Sequence, residues 1–210
     1  MDGDFPGDPF ERKEVFVKGF WLSAAIAAAI DLASKAWVFA WLRDVPLQVH
    51  DFVPGWFRFV LHINQGALWG VGSGTPLLLL LMTAVIIPVV IVMALSCKEK
   101  SAPLWSLGLV LGGAAGNFYD RLFTAESVLY AEKPVAGVRD FIHMSWPGVY
   151  SWPVYNIADV AIVVGVGVFV LWNLVCAPKS APAASADAAA PEAAPAAAPE
   201  DGKPEDAKPC

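Results

Sequence analysis

Charge is scarce in this chain. Of its 210 residues only 16% are Asp, Glu, Lys or Arg, and 57% are hydrophobic; a soluble domain carries about 25% charged residues. Mean hydropathy is +0.54, and the apolar residues fall in long runs, which points to a membrane. Cysteine is nearly absent: Cys97, Cys176 and Cys210 form no C-x-x-C pair and have no histidine nearby in sequence, which excludes a zinc or disulfide framework. The three histidines, His50, His62 and His143, lie in no H-E-x-x-H stretch, so zinc-protease chemistry is not expected. Neither metal nor organic cofactor is implied. The first twenty residues are acidic and aromatic, with no short apolar core before an A-x-A site, unlike a cleavable signal peptide. No internal repeat supports an inverted-repeat transporter. Nor is there a basic excess to bind nucleic acid: the net charge is −6.

Four stretches have the roughly 20 apolar residues that a span needs: about 19–42, 76–97, 104–122 and 157–176. Pro88 inside the second is expected to kink it, which a membrane bundle tolerates. With the N-terminus cytoplasmic, the inside segments hold eight basic residues and the outside segments five. The leader Arg12-Lys13…Lys18 agrees, placing both ends inside. The expected fold is an all-α membrane protein of four transmembrane helices, with a small external β-rich cradle and an external flap segment. It divides into a cytoplasmic segment 1–17, a membrane domain 18–177 and a tail 178–210.

That tail is Ala/Pro/Glu-rich. Residues 177–210 hold six acids and three lysines, so much of the net charge belongs to a segment with nothing to bury, expected to be disordered. The first dozen residues are expected to be loose as well. In the external segment 43–75, the alternation in Trp56-Phe57-Arg58-Phe59-Val60-Leu61-His62-Ile63 predicts short strands. Segment 123–155 is rich in Trp, Tyr and Pro, as suits the headgroup level.

Ionisable residues in or beside a span are costly and default to functional hypotheses. Asp31 and Lys35, spaced i, i+4, read as a pair tying helices together. Asn117, Asp120 and Arg121 end the third run, and Asn156 and Asp159 open the fourth. Asp140 and Asp159 flank Pro147-Gly148 and Pro153, turn residues that let the chain double back. Two close carboxylates share a proton, so one could activate a water while the other polarises a carbonyl. The same spacing also suits a proton relay or a structural network. Ser73, in Gly72-Ser73-Gly74, reads as a turn rather than a nucleophile. Tyr119-Asp120 matches half of a presenilin-type motif pair, but Arg139 breaks the other half.

Five stretches resemble one family. They are Asp31-Leu32-Ala33-Ser34-Lys35, Asn64-Gln65-Gly66-Ala67, the run from Gly112 to Arg121 (GGAAGNFYDR), Val138-Arg139-Asp140-Phe141, and Tyr155-Asn156-Ile157-Ala158-Asp159. Together, over roughly residues 18–177, they resemble lipoprotein signal peptidase, also called signal peptidase II. The resemblance implies that Asp140 and Asp159 are a catalytic dyad, and that Asn64, Gly66, Asn117, Arg121 and Asn156 serve the substrate site. Asp31, Lys35 and Asp120 are structural polar residues in this reading. It implies an aspartic endopeptidase of the bacterial inner membrane, working near the outer face as an expected monomer amid membrane lipids. Its substrate would be a prolipoprotein carrying diacylglycerol on a cysteine, cut just before that cysteine.

Gly112, Gly113 and Gly116 offer a small face for a helix or a lipid chain. Departures from the family are Leu68, Trp69, Tyr155, the Ala/Pro tail and a long link 124–137, expected as an enlarged flap. Two other readings compete: a proton-coupled transporter, whose polar residues should cross the bilayer, and an assembly factor, in which Asp→Asn changes leave processing intact.

Overall fold

The computed structural model describes residues 9–66, 76–97 and 103–176; side chains are described from Val17 onward. Leu68, Trp69, Ser73, the whole tail 178–210 and the first eight residues lie outside the described residues. These described residues form one compact unit.

Four helices form: α1 (Pro9–Leu42), α2 (Pro76–Ser96), α3 (Leu104–Phe123) and α4 (Ile157–Cys176). α1 begins ten residues before the expected span, at Pro9 rather than Gly19. Pro9 is tolerated in a first turn, and Glu11-Arg12-Lys13-Glu14 are good helix formers. Its 34 residues measure about 51 Å at 1.5 Å per residue, well beyond a hydrocarbon core of about 30 Å. α2 runs unbroken through Pro88 and is apolar all round, with Leu77, Leu81, Val85, Val89 and Val92 exposed, as befits a helix facing lipid.

Among the described residues three helices are long and apolar enough to cross a membrane, α1, α2 and α4. α3 is not among them, although it has 20 residues. The reason is its position: α3 packs against α1, α2 and α4 and therefore needs little lipid-facing surface. Ser106, Gly108, Gly112, Gly113, Gly116, Asn117 and Asp120 are all buried. A Cβ on Gly112 would strike the Ala24 carbonyl of α1, and one on Gly113 would lie 2.9 Å from Ile162 and overlap Ala158 of α4. The glycine face is therefore filled by neighbouring helices and leaves no room there for a lipid chain.

The segments between the helices build more sheet than the alternation in 56–63 predicts. β1 (Val49–Val53) and β2 (Phe57–Asn64) form a hairpin that turns at Gly55 with φ 78°, and β2 covers the residues where short strands were expected. β5 (Val138–Trp146) pairs antiparallel with β2, and β6 (Tyr150–Ser151) closes a four-stranded sheet in the order β1-β2-β5-β6. β5 lacks clean alternation because its ladder is irregular. The register against β2 slips between Phe59 and His62, and the N–H groups of Phe141 and Ile142 both donate to the Tyr155 carbonyl, at 3.1 and 2.8 Å. Two donors on one acceptor mark a bulge, which re-aims side chains.

The link 124–137 does not line the main cavity. It holds a small hairpin of β3 (Ala125–Glu126) and β4 (Val135–Ala136), docked against α1 and the sheet. Val128 is buried with Phe39, Leu42, Leu61 and Phe141. The Leu129 N–H donates to Gln48 Oε1 at 3.0 Å, and the Ile63 N–H donates to the Tyr130 hydroxyl at 2.8 Å.

Two apolar clusters bracket a polar layer along α1. Phe20 and Ala24 pack with Val90, Ala94, Leu107 and Leu111, while Val38, Phe39 and Leu42 pack under the sheet. Asp31 and Lys35 lie between them, both fully buried.

Candidate active site

The polar layer is a closed network. Lys35 Nζ lies 2.7 Å from Asp31 Oδ2, 3.3 Å from Asp120 Oδ2 and 2.8 Å from Asn117 Oδ1. Asp31 also accepts the Ala158 N–H at 2.8 Å, tying α1 to the start of α4. Asp120 pairs with Arg139, which donates from its backbone at 3.0 Å and from its guanidinium at 3.1 and 2.7 Å. The expected pairing of Asp31 with Lys35 is present. Asp120 is wholly buried and ion-paired with Lys35 and Arg139 rather than with the adjacent Arg121. No buried side-chain nitrogen or oxygen among the described residues lacks a partner.

On this layer rest the two carboxylates. Asp140 comes from β5 and Asp159 from the first turn of α4, and both line one cavity of about 580 Å³, a size that suits ligand binding. Asn64, Gly66, Asn117 and Arg121 line it as well. The Asp140 carboxylate accepts from Asn64 Nδ2 at 2.9 Å and from Asn156 Nδ2 at 2.6 Å. Asp159 accepts from Asn117 Nδ2 at 3.0 Å and from the Asn156 N–H at 3.1 Å. Asn156 Nδ2 also donates to Asn117 Oδ1 at 3.1 Å, so Asn156 and Asn117 link the two acids.

Local chemistry explains each placement. Asn156 caps α4: its Oδ1 accepts the Asp159 N–H at 3.1 Å while Asp159 reaches back to the Asn156 N–H. This reciprocal capping box is legible as N-x-x-D ahead of an apolar run. Asn64 is fixed by the Gly66 N–H, which donates to its Oδ1 at 2.9 Å and so turns Nδ2 toward Asp140. Lys35, by donating to Asn117 Oδ1, turns that residue's Nδ2 toward Asp159.

Burial, and next the negative charge of Asp159, raise Asp140 from 3.8 to about 7 against the donors Asn64 and Asn156. Asp140 is 1% exposed, and a buried carboxyl facing a second one keeps its proton more readily. Arg121 donates weakly to the Asn117 carbonyl at 3.5 Å. It forms no ion pair among the described residues and leaves its guanidinium toward the cavity.

All ten sequence-predicted residues thus gather at one end of the helices, seven on the cavity or its immediate wall and Asp31, Lys35 and Asp120 beneath it. Sequence reading misses Arg139 as the partner of Asp120, nineteen residues away with no local signal. It also misses His62 and His143, which line the cavity. Among the described residues no group of His, Cys, Asp and Glu is arranged to hold a metal ion.

The chain resembles known proteins in sequence and in fold. Residues 23–175 match the family described as signal peptidase (SPase) II. A lipoprotein signal peptidase of Geobacillus thermodenitrificans is 36% identical over 152 residues, covering 70% of this chain and 84% of that protein. One of Clostridium acetobutylicum is 32% identical over 145 residues, covering 69% and 86%. Two solved bacterial membrane enzyme structures share the fold. The first has a TM-score of 0.61 at 24% identity over 76% of this chain and 89% of its own, the second 0.58 at 23% over 74% and 92%. The chain belongs to the signal peptidase II family of membrane proteases.

Proposed function

We propose that this protein removes the signal peptide from diacylglyceryl-modified prolipoproteins, cutting just before the lipidated cysteine with Asp140 and Asp159 as its dyad. The observation that carries the reading is the delivery of two carboxylates from β5 and α4 to one cavity, in unequal environments. Asp140, buried and held near 7, keeps the shared proton and donates it to the scissile carbonyl. Asp159 takes a proton from a water, whose oxygen attacks the carbonyl carbon. The carbon–nitrogen bond then breaks as Asp159 returns the proton to the leaving amine of the cysteine, while the former carbonyl hydroxyl gives its proton back to Asp140 and re-forms the C=O bond. Asn64, Asn117 and Asn156 hold the acids, Gly66 fixes Asn64, and Arg121 offers a forked donor to substrate carbonyls or headgroup oxygens.

In this reading all four helices span the inner membrane. The 20 residues of α3 give about 30 Å, one hydrocarbon thickness, with its polar groups covered by the other three. Both termini are cytoplasmic, the sheet is external, and the acids sit near the outer face. Purified protein is assayed with a lipidated prolipoprotein and a matched unmodified one. Wild type cleaves only the lipidated form, and Asp140→Asn and Asp159→Asn each lose at least ~100-fold in rate while staying folded. Cleavage by either variant above a few per cent of wild type removes the dyad; equal rates on both substrates remove the lipid requirement.

A further inference from the structure

The sheet end of the cavity is lined by His143, Ser151 and Trp152, which hold neither acid. Arg58 on β2 donates from Nε to His143 Nδ1 at 2.8 Å. A guanidinium only donates, so Nδ1 is an acceptor and Nε2 carries the imidazole proton. Nε2 is 2.8 Å from Ser151 Oγ and therefore donates to it. Burial first, then the charges of Arg58 and His62, hold His143 below the ordinary histidine range and so neutral in this tautomer. With one lone pair of Oγ taken, the Ser151 hydroxyl proton is free for a ligand, since Ser151 makes no other side-chain hydrogen bond among the described residues.

The wall has a sign. Arg58 is exposed and forms no ion pair among the described residues, although Asp51 stands opposite it on β1. Arg58 polarises the imidazole, which polarises the hydroxyl, and donors in series strengthen one another. Apart from Asp140 and Asp159, no described carboxylate lines the cavity, whereas Arg121 does.

Position tells which part of a substrate meets this wall. His143 lies three residues beyond Asp140 on a bulged strand, about 7–10 Å along the sheet, the length of two or three extended residues. If the proposed cleavage holds, the apolar signal segment stays with the helices, and the chain beyond the cut leaves along the sheet. We propose that Arg58, His143 and Ser151 form a specificity subsite that receives an acidic side chain of the substrate in the first residues after the lipidated cysteine.

The test uses lipidated prolipoproteins differing only in carrying Asp or Lys at the second or third residue of the mature chain, the cysteine being the first. Read as the ratio of kcat/KM values, wild type prefers Asp by about three- to five-fold, the range of an exposed charge interaction, and the preference shrinks as salt is added. Ser151→Ala and Arg58→Gln bring the ratio toward unity; Arg58→Glu inverts it. Because each ratio is taken within one preparation, a general loss of activity divides out, and the wild-type ratio with its salt dependence stands independently of any variant. A wild-type ratio of one, or a ratio unmoved by Arg58→Glu, overturns the subsite. Failure of wild type to cut any lipidated substrate instead removes the proposed cleavage on which it rests.

Discussion

Replacing Lys35 by Met tests whether the buried network supports the site. The layer contains two acids, Asp31 and Asp120, and two bases, Lys35 and Arg139, with Asp31, Lys35 and Asp120 wholly buried. It is therefore neutral as it stands. Lys35→Met leaves Asp120 with Arg139 but strips Asp31 of its only ion-pair partner. Removing one partner of a buried pair costs about 3–5 kcal/mol, because the other charge remains uncompensated. Asn117 also loses the donor that turns its amide toward Asp159, so turnover should fall with stability. The double variant Asp31→Asn/Lys35→Met restores neutrality, and the amide oxygen can still accept the Ala158 N–H. It should recover about 1–3 kcal/mol of the single-variant loss, a strong coupling between contacting sites. Reversible unfolding of the purified protein in mild detergent measures both. If Lys35→Met lost less than about 1 kcal/mol, or if the double variant were no more stable than the single one, the charge-balance reasoning would be wrong.

Asp140 sets the pH dependence. Its carboxyl is raised from 3.8 to about 7 in the fold, so the native state binds more protons than the unfolded one between those values. Its contribution to stability is full below about 4, lost as pH rises toward 7, and absent above, and Asp140→Asn should flatten that slope. Cleavage should fall as pH rises through about 7, and a rate still climbing past pH 8 would contradict a proton held on Asp140. Tyr130→Phe removes the acceptor of the Ile63 N–H and should cost about 0.5–1.5 kcal/mol, with a smaller effect on turnover. An unchanged Tm would mean that the link is not docked as described. For the tail, a reporter fused after Lys179 should read cytoplasmic and truncation after Ser180 should leave turnover unchanged. The matched family region ends at residue 175, so a tail needed for cleavage would upset the proposed topology.

The helices were legible because burial in lipid demands long apolar runs, and α2 and α4 begin and end within a residue or two of those runs. α1 reaches further because helix propensity continues past the edge of the hydrocarbon run into Glu11–Glu14, where hydropathy has nothing to say. α3 shows the opposite effect. The residues that lower its hydropathy are those that let α1 and α4 approach and those that hold Asp159. The strand β2 was announced by alternation, whereas β5 was hidden by two irregularities in its ladder. Those same irregularities allow Asp140 and His143, three residues apart, to line one cavity.

The site residues were legible as types and not as partners, and the reason lies in where each contact is encoded. Asn156 with Asp159, and Asn64 with Gly66, are contacts within three residues, fixed by a helix cap and a turn. Asp31 with Lys35 is a contact within one helical turn. Asn117 with Lys35, Asp120 with Arg139 and Asn64 with Asp140 span 82, 19 and 76 residues and exist only once α1, α3 and the sheet have packed. These long-range contacts set the geometry of the site. Asn117 faces Asp159 because Lys35 occupies its oxygen, and Lys35 is where it is because Gly116, against Asp31, lets α1 and α3 close together. A methyl group at Gly116 would thus act at a distance: it would move no acid directly, yet it would disturb the layer that aims Asn117. Packing of the helices and aim of the acids are one structural property, and substitutions in the layer should change both together.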